Sequence, residues 1–190
     1  ALRPGERVLD VACGTGVVAR LAADRVGPAG SVAGADVNAG MLGVARAVAA
    51  SSGRTSIQWY ETAAEAMPLP DAAVDRILLV HALEMSDDPE RLLREVWRVL
   101  APSGRLIAVI PNRRGVWTRT DNTPFGHGRP YSRAQITQLL RHTWFTPAAW
   151  GEALFLPPVG NSWLLRSAMA WERAGAALSG SREGWGGDCV

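Results

Sequence analysis

Residues 7–16, Arg-Val-Leu-Asp-Val-Ala-Cys-Gly-Thr-Gly, run without a break into the apolar, helix-prone residues 17–23. This succession of buried strand, glycine turn and helix start constrains the chain more than any other stretch. Val8, Leu9 and Val11 suit a strand covered on both faces, and Gly14 and Gly16 permit backbone angles or close approaches that a Cβ would block. A ligand can press against the main chain there. Because a helix N-terminus carries unpaired N–H groups and a partial positive charge, that ligand is expected to offer oxygen atoms to the turn.

Two ligand classes use such a turn. Gly14-x-Gly16-x-x-Ala19 also fits the dinucleotide fingerprint, which is weak when it stands alone. Asp10 favours the other class, since a carboxylate inside an apolar strand is costly unless it meets a partner such as an ammonium group or a bound water. The competing reading is a structural Asp satisfied by turn amides. Asp36 lies twenty residues beyond Gly16, at the end of a second strand over residues 31–37. There it is placed to accept the two hydroxyls of a ribose, a demand shared by NAD and S-adenosylmethionine. A helix N-cap is the alternative for Asp36, but Asn38 is the better cap for the helix expected over residues 39–50.

Residues 8–16 closely resemble the first motif of class I S-adenosylmethionine-dependent methyltransferases, especially the group containing the ubiquinone and menaquinone biosynthesis methyltransferases. The resemblance continues through residues 34–38, 64–71 and 98–106 and covers most of the first 111 residues. From Asp75 to about Arg173 the chain also resembles uncharacterised bacterial methyltransferase-domain proteins, through residues 79–84, 110–115 and 125–132. The implied fold is α/β, a Rossmann-like, doubly wound, mainly parallel sheet of five or six strands. The usual last antiparallel strand is expected to be missing. The resemblance also implies S-adenosylmethionine as cofactor. Asp10, Gly14 and Gly16 would hold its methionine end, Asp36 the ribose, and Met41 and Ala64 the adenine surroundings, while His81 would border the methyl group. Ala12, Cys13, Thr15, Val37, Ala63 and Glu65 complete the expected cofactor contacts. In the resembled family an Asp in the 62–65 loop bonds the adenine amino group, and Ala63 stands at that position here.

Composition narrows the chemistry. All twenty basic residues are arginine, so a Schiff-base lysine, a P-loop lysine and the lysine of short-chain dehydrogenases are excluded. A formal net charge of +2 gives no mandate for nucleic acid, and no nucleic-acid partner is expected. Only Cys13 and Cys189 are present, which implies no disulfide framework and fits a reducing cytoplasm. No apolar run approaches a membrane span, the start at Ala1 lacks a signal peptide's shape, and no metal-ligand cluster is apparent. Few residues precede the first strand to cover a cofactor. Oligomeric state is not legible.

Farther along, residues 56–61 and 74–80 read as the third and fourth strands, and His81 and Glu84 follow at the carboxyl end where open α/β sheets bind ligands. Each is a candidate for proton transfer; His81 lining the cofactor and Glu84 capping the next helix are the alternatives. Residues 89–100 form an amphipathic helix with Trp97 expected in the core, and a fifth strand spans residues 105–110. Residues 112–130 read as a lid-like loop whose Arg113, Arg114, Arg119 and Arg129 either meet an anionic substrate or are solvated. His127 and Tyr131 add a candidate acid–base pair ahead of a helix over residues 132–141 capped by Ser132. A short strand is expected at residues 153–156 and an amphipathic helix at 161–178, suited to packing or to peripheral contact with a membrane or hydrophobic substrate. The expected organisation is one domain over residues 1–178 and a disordered tail over 179–190. The expected function is methyl transfer from S-adenosylmethionine to a small-molecule or lipid-like acceptor. A non-catalytic protein that binds the same cofactor and an NAD-binding oxidoreductase are the alternatives.

Overall fold

A computed structural model describes residues 1–54, 56–112 and 128–151. The chain divides into two compact units, Ala1–Phe145 and Thr146–Val190, and the fold below is that of the first. The expected strand at 153–156, helix at 161–178 and tail lie outside the described residues, as does the place where a last antiparallel strand would fall.

Five strands form one sheet: β1 (Arg7–Val11), β2 (Ser31–Asp36), β3 (Gln58–Glu61), β4 (Val74–Val80) and β5 (Leu100–Val109). Their spatial order is β3-β2-β1-β4-β5 and every pairing is parallel. Parallel neighbours require crossovers, supplied by α1 (Val17–Val26), α2 (Ala39–Ser51) and α3 (Pro89–Val99). Because crossovers are right-handed, α1 and α2, which lead outward through β2 to β3, lie on one face and α3, which leads from β4 to β5, lies on the other. The order therefore reverses between β1 and β4, the point where open α/β sheets open a crevice.

Alternation along the strands fills both layers. Val8, Val32 and Leu78 pack with Ala19, Ala22 and Val26 of α1 and Ala49 of α2, whereas Leu9, Val11, Ile77 and Leu79 point the opposite way and are fully buried. On α3, Leu92, Leu93, Val96 and Val99 recur at helical spacing and are all buried. Asp88 caps this helix by accepting the Arg91 amide, with Pro89 at its first turn. The cap is thus Asp88, and Glu84 does not serve as one.

Trp97 departs from its expected place in the core. It is 49% exposed and meets Trp144 edge-on, ring centroids 5.1 Å apart, because the Leu92–Val96–Val99 stripe leaves it on the helix's outer flank. Residues 101–104, between the expected helix and fifth strand, are built as a bulge inside β5. Val74 pairs with Leu100 and Arg76 with Arg105, so four residues of β5 face one residue of β4, with Ser103 at φ 65°. The final described helix, α4 (Arg133–His142), opens with a reciprocal capping box between Ser132 and Gln135.

Arg98 joins two of the segments that carry the sequence resemblance. It donates to Glu95, to Asp71 and to the carbonyls of Met67 and Leu69, while Glu95 accepts the Met67 amide. The chain from Met67 to Asp71 is thereby held to α3, which orders the connection between β3 and β4.

Candidate active site

The glycine turn leaves β1 through Ala12, a non-glycine residue at φ 55°, and passes Gly14 at φ 54° and Gly16 at φ 71° into α1. Gly16 donates its amide to the Cys13 carbonyl at 2.8 Å and accepts the Arg20 amide in turn. Thr15 is exposed at the tip, its carbonyl bonded by Arg20. The two glycines serve different ends. A Cβ at Gly14 would meet only Met41 Sδ, at an ordinary 3.7 Å, so that face of the turn is open to a ligand. A Cβ at Gly16 would stand 2.4 Å from the Trp59 ring, and one at Gly34 would stand 2.6 Å from it. Trp59, on β3, fills the space behind the turn. A side chain at Gly16 would collide with this ring, a packing demand that sequence reading missed because nothing local to residues 12–16 announces a ring arriving from residue 59.

Asp36 binds the turn directly. Its Oδ2 accepts the Gly14 amide at 2.7 Å and its Oδ1 accepts the Asn38 amide at 2.8 Å. A carboxylate offers about four acceptor positions, so each oxygen retains a lone pair for a hydroxyl. Asn38 is the cap of α2, accepting the Met41 amide, as its sequence position implied. Val37 and Met41 are 69% and 45% exposed, an apolar surface beside the turn.

Asp10 is 1% exposed, and among the described residues its Oδ2 has no hydrogen-bond partner. Burial pushes its carboxyl up to about 7, with the Ala19 amide opposing the rise and the charge of Asp36 adding to it. An orphaned buried carboxylate oxygen is expensive unless a cation or donor reaches it. Burial first, then the charges of Asp10 and Asp36, push the Cys13 thiol up to about 12, which disfavours its thiolate. A ligand carrying a cation near Asp10 and a ribose near Asp36, laid across the open face of Gly14, fits these residues.

The loop after β3 completes this side. Thr62 donates its amide to the Asp36 carbonyl, Ala63 is exposed, and its carbonyl accepts the Ala66 amide. Ala64 is half-buried, and Glu65 accepts the Ser86 hydroxyl at 2.9 Å, linking the loop to the chain beyond β4.

Across the switch point, β4 ends at His81, another non-glycine residue at φ 54°. Strained backbone angles thus follow both β1 and β4, strands whose last paired residues include Val11 opposite Leu79. His81 Nδ1 lies 2.9 Å from Glu84 Oε1, and Glu84 is buried in the single helical turn Leu83–Met85, its Oε2 without a partner among the described residues. The segment that returns at Gly128 covers this turn: Arg129 donates its amide to the Glu84 carbonyl at 2.8 Å. Gly128, at φ 86°, leaves no room for a Cβ, which would stand 2.7 Å from the Glu84 carbonyl and 3.0 Å from Met85 Sδ. Tyr131 bridges to Asn112 and donates its amide to the Pro111 carbonyl. Burial raises the Tyr131 hydroxyl above its ordinary range, with Arg129 opposing and Glu84 contributing to the rise. His81, Glu84 and Tyr131 are thus brought to one place, and His127 lies outside the described residues. Sequence reading missed Gly128, although it sits in the resembling run 125–132. Among the described residues no group of His, Cys, Asp and Glu could hold a metal ion, and no helix is long and apolar enough to cross a membrane.

Comparison with known proteins agrees with this geometry. A family model described as a methyltransferase domain matches residues 9–108. The ubiquinone/menaquinone biosynthesis C-methyltransferase UbiE of Stenotrophomonas maltophilia is 41% identical over 105 residues, 55% of this chain and 42% of that protein. The demethylmenaquinone methyltransferase of Symbiobacterium thermophilum is 42% identical over 108 residues, 56% of this chain and 43% of that protein. The chain thus spans less than half the length of these curated relatives. A crystal structure of an S-adenosylmethionine-dependent methyltransferase from Aquifex aeolicus superposes with a TM-score of 0.66 at 25% identity, covering 75% of this chain and 73% of that one. With the parallel sheet, the Asp-flanked glycine turn and the matched family model in agreement, the chain belongs to the methyltransferase-domain family, within the class I S-adenosylmethionine-dependent methyltransferases, and its cofactor is S-adenosylmethionine.

Proposed function

We propose that the cofactor lies across the open face of Gly14, with its cationic methionine end toward Asp10 and its ribose toward Asp36. Val37, Met41 and residues 63–65 then surround the adenine, and Ala12, Cys13, Thr15 and Gly16 shape the turn beneath it. The observation that carries this reading is the buried Oδ2 of Asp10, without a partner among the described residues, on the strand that leads into the open face of Gly14. The bound sulfonium supplies an already activated methyl group, which leaves this chain the tasks of aligning the acceptor, excluding water and accepting a proton.

The acceptor we infer is quinone-like: a small, hydroxylated aromatic with lipid-like character. The names of the matched relatives support that class, as does the apolar Met85, 62% exposed beside Gly128. The test is incubation with methyl-labelled S-adenosylmethionine and 1,4-dihydroxynaphthalene under reducing conditions. Label is expected on the ring of the product, in equal amount to the S-adenosylhomocysteine formed. Turnover with simple amines or thiols and none with the quinol would overturn the acceptor class.

A further inference from the structure

We propose that Glu84 positions His81 as the proton acceptor for methyl transfer to a hydroxylated aromatic, with the Gly128–Tyr131 segment closing over the pair. The proposal rests on the reading of the acceptor just given. Three observations carry it. Glu84 is a carboxylate 4% exposed that caps no helix, since Asp88 caps the one that follows. Its Oε1 meets His81 Nδ1 at 2.9 Å, and its Oε2 has no partner among the described residues. The pair lies beyond the carboxyl end of β4, at the switch point of the sheet, opposite the strand end that leads into the cofactor turn.

In a neutral imidazole one nitrogen donates and the other accepts. A carboxylate on Nδ1 selects the tautomer with the proton on that nitrogen, which makes Nε2 the basic atom. Glu84 is then a positioning residue and His81 the group that meets the acceptor. Glu84 and Arg129 are the charged groups felt at Tyr131, whose hydroxyl burial raises above its ordinary range. Tyr131 stays protonated beside them and can donate a hydrogen bond without competing for the proton.

The chemistry balances as follows. The acceptor's hydroxyl proton passes to His81 while the oxygen's electron pair shifts into the ring. A ring carbon forms the new bond to the methyl group as the old carbon–sulfur pair stays on sulfur. The ring proton displaced by methyl leaves as aromaticity returns and reprotonates the oxygen, so one proton is released overall, through His81.

Two experiments on the cofactor-loaded chain decide it. The first needs no acceptor: long-range proton–nitrogen spectra of the three histidines, with His81 assigned through His81→Gln. The Nδ1–H tautomer is expected in the unmodified chain and a shift toward Nε2–H in Glu84→Ala. An unchanged His81 tautomer in that variant overturns the proposal. The second is a double-mutant cycle with 1,4-dihydroxynaphthalene. His81→Gln is expected to lower kcat by about 10²–10⁴-fold, with S-adenosylmethionine affinity unchanged within about twofold. Glu84→Ala should cost nearly as much, and the double variant no more than His81→Gln alone, because Glu84 acts through His81. Additive losses, or a parallel loss of cofactor binding, would make Glu84 merely structural. Should the unmodified chain leave the quinol untouched, the acceptor class fails while the tautomer still decides the positioning role.

Discussion

The carboxylate of Asp36 accepts the amide of Gly14 at 2.7 Å and so ties the end of β2 to the glycine turn that follows β1. One residue thereby shapes the turn and, in the proposed binding mode, meets the ribose. Asp36→Ala should weaken S-adenosylmethionine binding by about 1.5–3 kcal/mol, since it removes charge-assisted bonds to the sugar as well as the anchor of the turn. Titration calorimetry on the folded variant measures this, and unchanged affinity would remove Asp36 from the site.

Ala63 stands where the resembled family places an adenine-binding Asp, and it is exposed, so a larger side chain has room there. Ala63→Asp should tighten S-adenosylmethionine by about 1–2 kcal/mol, the worth of one hydrogen bond to a charged acceptor. An analogue lacking the adenine amino group should gain nothing from the same substitution. Equal tightening of both ligands would defeat the adenine assignment.

Asp10 makes the ligand-free domain sensitive to pH. With its folded value near 7 and an unfolded value of about 4, the native state holds a proton that the unfolded chain releases between those limits. Its contribution is complete below about pH 4 and is lost as pH rises through 7, a change of at most about 4 kcal/mol for three units. Asp75 and Glu95, held low by Arg7 and Arg98, act in the opposite sense, so the measurement is the difference between two chains. In urea unfolding, Asp10→Asn should gain stability over the unmodified chain at pH 8 relative to pH 5. Parallel pH profiles for the two chains would show that Asp10 titrates normally.

Much of this was legible in the sequence because it is local. The β1–turn–α1 stretch announces itself through apolar alternation and glycine spacing within residues 7–23, and the Asn38 and Ser132 caps follow from helix chemistry over three residues. What could not be read depends on distant arrivals. Trp59 explains Gly16 and Gly34 only once β3 lies beside β2. Trp97 reads as core on a helical wheel, and its exposure follows from how α3 is rotated against the sheet. The union of Glu84 with Gly128 spans more than forty residues of chain and has no periodicity to betray it.

The central claim is that the cofactor rests on the open face of Gly14. The most direct test is calorimetric titration of S-adenosylmethionine into the unmodified chain, Gly14→Ala and Gly16→Ala, with thermal unfolding of each. At Gly14 an added Cβ meets only Met41 at 3.7 Å within the protein, although φ 54° costs about 1–2 kcal/mol. At Gly16 it collides with Trp59. Gly14→Ala should therefore remain folded and lose at least about tenfold in affinity, a difference of about 1.4 kcal/mol, whereas Gly16→Ala should lose stability first and binding only as a consequence. Full affinity in a folded Gly14→Ala chain would contradict the account.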